Sequence, residues 1–290
     1  MLRIKIPTVA PGTPLFDHVV EIYSDKIVVK NPGGSTTTLG TIDELNTWLS
    51  NNKGKRIAIY AYANVTSDIN LYSGEYWFMK GFFNRYINLY ESNTIIVNVG
   101  AVLRLVQNVA DVSNVTVVSG SLTLLYLINS TRGTGVHVAG LFQDLYLSNY
   151  EAMVFAEVHR WAYIDNCRLF NLSIKSRYLG IYDSVIEYTS SEVVITTEMD
   201  LEFSNVTNNS AGTTNLNIRC ERLVSVDAGA TVTIPIPYFG RTNYSVVVEY
   251  FDTGGATGVT YTIDKTNHVI GITNSGTATA TVYIVFRVIY

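Results

Sequence analysis

The residues that could make or break a bond gather in one stretch of this 290-residue chain. Asp165, Asp183, Glu187, Asp200 and Glu202 follow one another there, with Arg168, Lys175 and Arg177 interspersed. Two carboxyl groups held about 5 to 10 Å apart can hydrolyse a glycosidic bond, one as acid and the other as base or nucleophile. A basic side chain beside a Ca²⁺-binding carboxylate pair would instead suit a lyase. No dense acidic cluster accompanies these bases, so a solvated strand face with corner hydrogen bonds is the simpler reading. We expect no catalytic residue. If the chain is an enzyme, Asp165, Asp183, Glu187 and Glu202 carry the chemistry.

The remaining reactive side chains do not assemble into a motif. His18, His137, His159 and His268 are scattered, without His-x-x-x-His or His-x-His spacing. His159-Arg160-Trp161 reads as a loop between strands that forms a surface or interface patch. There is no Gly-x-Ser-x-Gly elbow, and Gly33-Gly34-Ser35 and Gly254-Gly255 are turns without a P-loop lysine. Cys167 and Cys220 make neither a metal motif nor a disulfide framework, and Cys167 reads as a small buried hydrophobe. No cofactor and no metal is expected. For binding, the aromatic run Trp77-Phe78-Met79 with Phe82-Phe83 is core, subunit contact or a sugar-stacking platform. Trp77, Phe82, Tyr250, Tyr261 and His268 are the candidate binding residues.

A recurring phrase must position these groups. It reads Leu125-Tyr126-Leu127-Ile128-Asn129, then Leu145-Tyr146-Leu147-Ser148-Asn149, then Ala162-Tyr163-Ile164-Asp165-Asn166. It continues as Leu179-Gly180-Ile181-Tyr182-Asp183 and Leu201-Glu202-Phe203-Ser204-Asn205. Alternation at period two describes a strand with one buried face. Its return every 17 to 22 residues or so, with no helical segment between, describes coils of a parallel β-helix. The Asn or Asp closing each phrase belongs at a corner, where it tolerates left-handed backbone and can pair with its counterpart on the next coil.

Composition agrees. Apolar residues make up 47% and charged residues 15%, with 20 tyrosines, as in an all-β protein with an uncharged polar surface. A net charge of −4 offers no basic stripe for nucleic acid, and the apolar runs are too short for membrane insertion. Met1 to Pro7 lacks the apolar centre of a secretory signal. We therefore expect a cytoplasmic chain, or one exported as part of a larger particle.

Residues 1–40 read as a β prelude, with a hairpin across Ser24-Asp25 and a loop at residues 31–35. Residues 41–51 form a helix: Thr41 and Glu44 make a capping box, Ile42, Leu45, Trp48 and Leu49 share one face, and Gly54 stops it. An amphipathic helix there can cover the open end of the first coil, which begins at Arg56-Ile57-Ala58-Ile59-Tyr60. The coils run to about residue 223, and strands at shorter intervals with Gly-rich turns make residues 224–290 a small antiparallel sandwich. The fold expected is all-β: a right-handed parallel β-helix with a capping helix, then a C-terminal β-sandwich.

The helix-then-strand entry resembles the pectate-lyase-like β-helices of phage or archaeal-virus tailspikes and tail fibres. It departs from them after the first strand, where Tyr60-Ala61-Tyr62-Ala63-Asn64 replaces their Gly-rich turn and Pro-x-Gly-x-Tyr phrase. The succession Asp227-Ala228-Gly229-Ala230-Thr231-Val232-Thr233-Ile234-Pro235, Tyr244-Ser245-Val246-Val247-Val248, Ile272-Thr273-Asn274-Ser275-Gly276 and Val282-Tyr283-Ile284-Val285-Phe286 is similar to the C-terminal head of bacteriophage tail fibres. The resemblance implies a structural virion fibre or spike protein at the virion surface, extracellular and homotrimeric. Its head would meet a cell-surface glycan or protein receptor, and its N-terminal segment other virion proteins. A polysaccharide hydrolase or lyase on the same scaffold is the first alternative, and a cellular surface or adhesin protein the second.

Overall fold

The structure, a computed structural model, describes residues 15–187, 192–204, 206–208, 217–237 and 244–289. Strand follows strand in parallel register at nearly constant offset. Lys55 pairs with Gly74, Gly74 with Asn93, Leu105 with Leu124, Arg168 with Glu151, and Ser173 with Val194. Each partner lies 17 to 21 positions along the chain, so one coil takes about that many residues. About seven coils stack into a parallel β-helix. Because alternate residues point inward, the phrase residues Leu125, Leu127, Leu145, Leu147, Ala162, Ile164, Leu179 and Ile181 are all buried. They form one continuous core along the axis.

The corners follow the sequence with one exception. Asn149, Asn166 and Asp183 adopt left-handed backbone, with φ of 63°, 46° and 45°. Asn149 Nδ2 donates to the Asn129 carbonyl (2.6 Å), and Asn166 Nδ2 to Asn149 Oδ1 (2.5 Å). Asn129, expected at the same corner, is instead buried inside it. Its Oδ1 accepts from Tyr150 Oη (2.7 Å), Asn108 Nδ2 (3.0 Å) and the Val112 amide (3.1 Å), while its Nδ2 donates to the Val112 carbonyl (2.8 Å). Asn108 to Val112 forms no strand beyond Asn108, and the buried Val112 needs a polar partner for its backbone N–H and carbonyl. The fifth corner, Asn205, lies outside the described residues.

The entry is built as its residues dictate. Helix Ile42–Asn51 starts with Thr41 Oγ1 accepting from the Glu44 amide (3.2 Å), and Glu44 Oε2 reaches back to the Gly40 amide (2.7 Å). Leu45 and Leu49 are fully buried, with Ile42 and Trp48 packed beside them. Asn46 fastens the helix to the first coil, accepting from the Asn70 amide and donating to the Asp68 carbonyl (both 2.9 Å). The hairpin His18–Ile22 with Ile27–Lys30 forms as expected and is joined by a third strand, Thr36–Leu39. This little sheet is continuous with the β-helix, because His18–Ile22 pairs in parallel with Lys55–Ala61. Residues 1–14 of the expected β prelude lie outside the described residues.

At the other end the parallel stack is closed by the chain's own C-terminal strand. Asn217–Val226, the last coil strand, pairs with Ala280–Ile289 in antiparallel register, and Ser245–Asp252 adds outside it. A second sheet of Thr231–Pro235, Val269–Asn274 and Val259–Asp264 faces these strands. Ile234, Ile270, Ile272, Val282, Ile284 and Phe286 are buried in the head. Asn274 ties the two layers, its Nδ2 donating to the Val226 carbonyl (2.9 Å). No described helix is long and apolar enough to cross a membrane.

Candidate functional site

The carboxylates singled out by sequence do not converge. Asp165 is half-buried and accepts from Ser148 Oγ (3.2 Å), whereas Asp183 sits at the left-handed corner. Glu187 is held on another part of the coil by Arg168 (2.5 Å), which also reaches Glu151 (3.2 Å). The backbone of Glu202 pairs with Gly180 and that of Asp200 with Tyr178, while both side chains lie outside the described residues. Among the described residues, no group of three His, Cys, Asp or Glu is placed to hold a metal ion. Cys167 and Cys220 are both buried and unpaired by disulfide, and burial pushes their thiols up to about 11 and about 12.

The candidate binding residues are likewise dispersed. Trp77 donates its indole N–H to Glu75 (2.5 Å) and meets Phe16 edge-on, while Phe82 is exposed beyond the Gly81 corner. In the head, Tyr250 packs against Tyr283, Tyr261 against Phe251, and His268 bonds Tyr244 Oη (2.8 Å).

A different set of side chains does converge, on the outward column of the phrase itself. The column starts polar: Asn88 Nδ2 donates to Asn70 Oδ1 (3.1 Å), and Gln107 Nε2 to Asn88 Oδ1 (3.0 Å). Gln107 pairs in register with Tyr126, and from there the column is aromatic. Tyr126 meets Tyr146 (ring centroids 4.9 Å apart), Tyr146 stacks on Tyr163 (5.0 Å), and Tyr163 meets Tyr182 (5.0 Å). The first two separations match the coil-to-coil rise of a parallel sheet, about 4.8 Å, so rings at equivalent positions fall into contact without adjustment.

Gly180 breaks the run of tyrosines. It pairs with Tyr163 and leaves a gap where a ring would stand. Tyr182, two positions on, leans over it: a Cβ on Gly180 would lie 2.5 Å from Tyr182 Cε2. Beside this column, Trp161 stacks on its register partner Tyr178, with centroids 4.1 Å apart and planes 13° from parallel. Between the two aromatic rows lies a cleft of 130 Å³, lined by Tyr146, Trp161, Tyr163, Tyr178, Gly180 and Tyr182 among others. Trp161 is 51% exposed, so much of this apolar surface meets solvent.

The position of Trp161 is fixed from beneath. Buried Asp144 accepts from the Trp161 amide (3.2 Å) and from Arg160, whose Nε lies 2.9 Å away and whose Nη2 gives the second bond of a bidentate pair. His159-Arg160-Trp161 is therefore not a loop. It continues the extended run, and His159 and Arg160 stand at a register break between the pairs Val158–Ser176 and Trp161–Tyr178. The alternation of the phrase gives these tyrosines outward positions, but their chemistry becomes visible only when coils 17 to 20 residues apart are stacked.

Fold and surface together define a parallel β-helix with an aromatic cleft on its flank and a closed antiparallel head. Comparison with protein families, with curated proteins and with solved structures finds no match.

Proposed function

We propose that this protein is a binding element of an extracellular fibre or spike, displayed at a virion surface, that grips a glycan chain with the flank of its β-helix. The observation that carries this reading is the pair of aromatic rows enclosing the cleft, Tyr146-Tyr163-Tyr182 and Trp161-Tyr178. Aromatic faces bind the C–H faces of sugar rings because both are apolar while their rims are polar. The rows run along the axis at one ring per coil, so successive sugar units can lie along them. The axial stack of coils supplies a rigid support, which lowers the ordering cost of binding. A fibre built from three such chains would present the cleft in several copies and gain from multivalency.

The test is a fluorescence titration of the full chain with neutral and acidic oligosaccharides. Trp161 is the most exposed of three tryptophans, since Trp48 and Trp77 are partly buried. We expect saturable quenching by a glycan and its loss in Trp161→Ala with the fold intact by circular dichroism. Quenching that survives Trp161→Ala, or no response to any oligosaccharide, refutes the assignment of this cleft.

A further inference from the structure

One corner of the β-helix carries an apolar ridge. The chain passes that corner through Gly81, Gly100, Gly120 and Gly140 on successive coils. The Gly81 amide donates to the Gly100 carbonyl (3.0 Å), Gly120 lies against Val97 and Val99, and Gly140 against Ser119. One or two residues after each glycine stand Phe82, Val102, Leu122 and Leu141, between 38% and 49% exposed. Phe82 pairs in register with Val102, and Ser121 Oγ reaches the Ala101 carbonyl (2.7 Å), so the ridge residues follow one another along the axis. The residues next in sequence, Phe83, Leu103, Thr123 and Phe142, are buried, and strand alternation therefore sends the ridge side chains outward. Val99, in the turn before Gly100, is 77% exposed and widens the ridge.

A line of apolar side chains in water is costly unless something covers it. A sugar gains little here, because Val99, Val102, Leu122 and Leu141 offer neither a ring face nor a hydrogen-bonding group. A second copy of the chain fits better. Coils recur about every 4.8 Å, so the ridge has the same period in every copy and two ridges can interlock level by level. Covering five side chains of this size would bury on the order of 500 Å² per copy, or about 1,000 Å² in a pair, which a specific interface needs. The cations around the ridge do not oppose this. Lys80 lies over the Tyr62 ring (5.4 Å), and Arg85 faces Asp68 (3.5 Å). Arg104, two positions from Val102, can lay its stem along the ridge with its head in water.

We propose that this ridge is the seam along which copies of the chain associate side by side, coil beside coil. The inference does not rest on the glycan-binding reading. The seam uses residues 82 to 141, whereas the Trp161–Tyr178 stack lies on later coils. It also gives Phe82 a role that a sugar platform does not require: the ring is the largest side chain of the seam, level with Val102 on the next coil. The half-buried Leu105 and Leu124, paired in register beside the ridge, extend the apolar strip behind it.

The experiment is sedimentation velocity of the full chain from about 1 to 100 μM, with the fold of each variant checked by circular dichroism. We expect the wild type to reach a mass of two or more chains. Leu122→Glu places a charge in the middle of the seam and should weaken association about a hundred-fold or more. Ile128→Glu charges a comparably exposed apolar residue away from the ridge and should associate as the wild type does. Val102→Glu takes the place of Leu122→Glu should the latter misfold. Loss of association in the ridge variant alone upholds the proposal. A wild-type mass of one chain at every concentration overturns it and leaves the ridge to a different partner. Association unmoved by the ridge variant, or lost equally in Ile128→Glu, overturns it as well.

Discussion

Asn129→Ala should be among the most costly single substitutions in the β-helix. The Asn129 amide is 3% exposed and serves the Tyr150 hydroxyl, the Val112 N–H and the Val112 carbonyl at once. Tyr150 is fully buried, and burial keeps its hydroxyl protonated well beyond the ordinary range. Removing the amide therefore strands two donors and one acceptor in a dry interior. At about 1 to 3 kcal/mol for each unsatisfied group, with some relief from relaxation, the loss comes to about 3 to 5 kcal/mol. Asn108 does not add to it, because its Nδ2 also donates to the Ala110 and Ile128 carbonyls (2.9 and 2.7 Å). Tyr150→Phe alone leaves Asn129 with its other partners and should cost about 1 kcal/mol. In the double variant the stranded hydroxyl is gone, so the two costs should fall short of additive by about 1 to 2 kcal/mol. Equilibrium urea unfolding of the four proteins, followed by far-UV circular dichroism, measures the cycle. Additivity within about 0.5 kcal/mol, or a cost below about 1 kcal/mol for Asn129→Ala, would refute the hub.

Other consequences are equally direct. Gly140→Ala should cost about 3 kcal/mol or more, because φ is 106° there and the added Cβ would lie 2.0 Å from the Ser119 carbonyl oxygen on the neighbouring coil. A thermal shift near that of the wild type would show that the coils slide apart easily. Hydrogen bonds from Ser130 and Thr131 hold the Asp111 carboxyl down, to about 2 from an ordinary 3.8. A folded value below the unfolded one contributes stability present above about pH 4 and lost as pH falls through about 2. Asp111→Asn should therefore flatten the acid limb of a stability-against-pH profile, and an unchanged limb would contradict the bonding. Cys167 and Cys220 should resist a thiol reagent in the native protein and react, two per chain, only on unfolding. Native labelling of either thiol would disprove its burial.

How much was legible in the sequence depends on the range of the interaction. The buried pair in each phrase, such as Leu145 and Leu147, reads directly because strand alternation is local. So do the corner residues Asn149, Asn166 and Asp183, whose backbone preference is their own, and the Thr41–Glu44 cap. Asn129 was misplaced because its role is set by Tyr150 and Val112, 21 and 17 positions away. The aromatic cleft was missed for a related reason. Tyr126, Tyr146 and Tyr163 stood in the phrase as outward residues, yet their stacking depends on register between coils, and Tyr182 joins them only because Gly180 makes room. The signal that could have found them was an aromatic ring recurring at one phrase position. The closing pair Asn217–Val226 and Ala280–Ile289 joins segments about 60 residues apart, beyond what pattern alone assigns.

The central claim is that a glycan lies along the flank of the β-helix, and a crystal structure of the full chain with an oligosaccharide that quenches its tryptophan fluorescence tests it most directly. The account predicts a sugar ring against Trp161 and Tyr178, in the cleft they share with Tyr146, Tyr163 and Tyr182. Sugar bound instead at the head, against Tyr250 or Tyr261, with the flank empty, would contradict it.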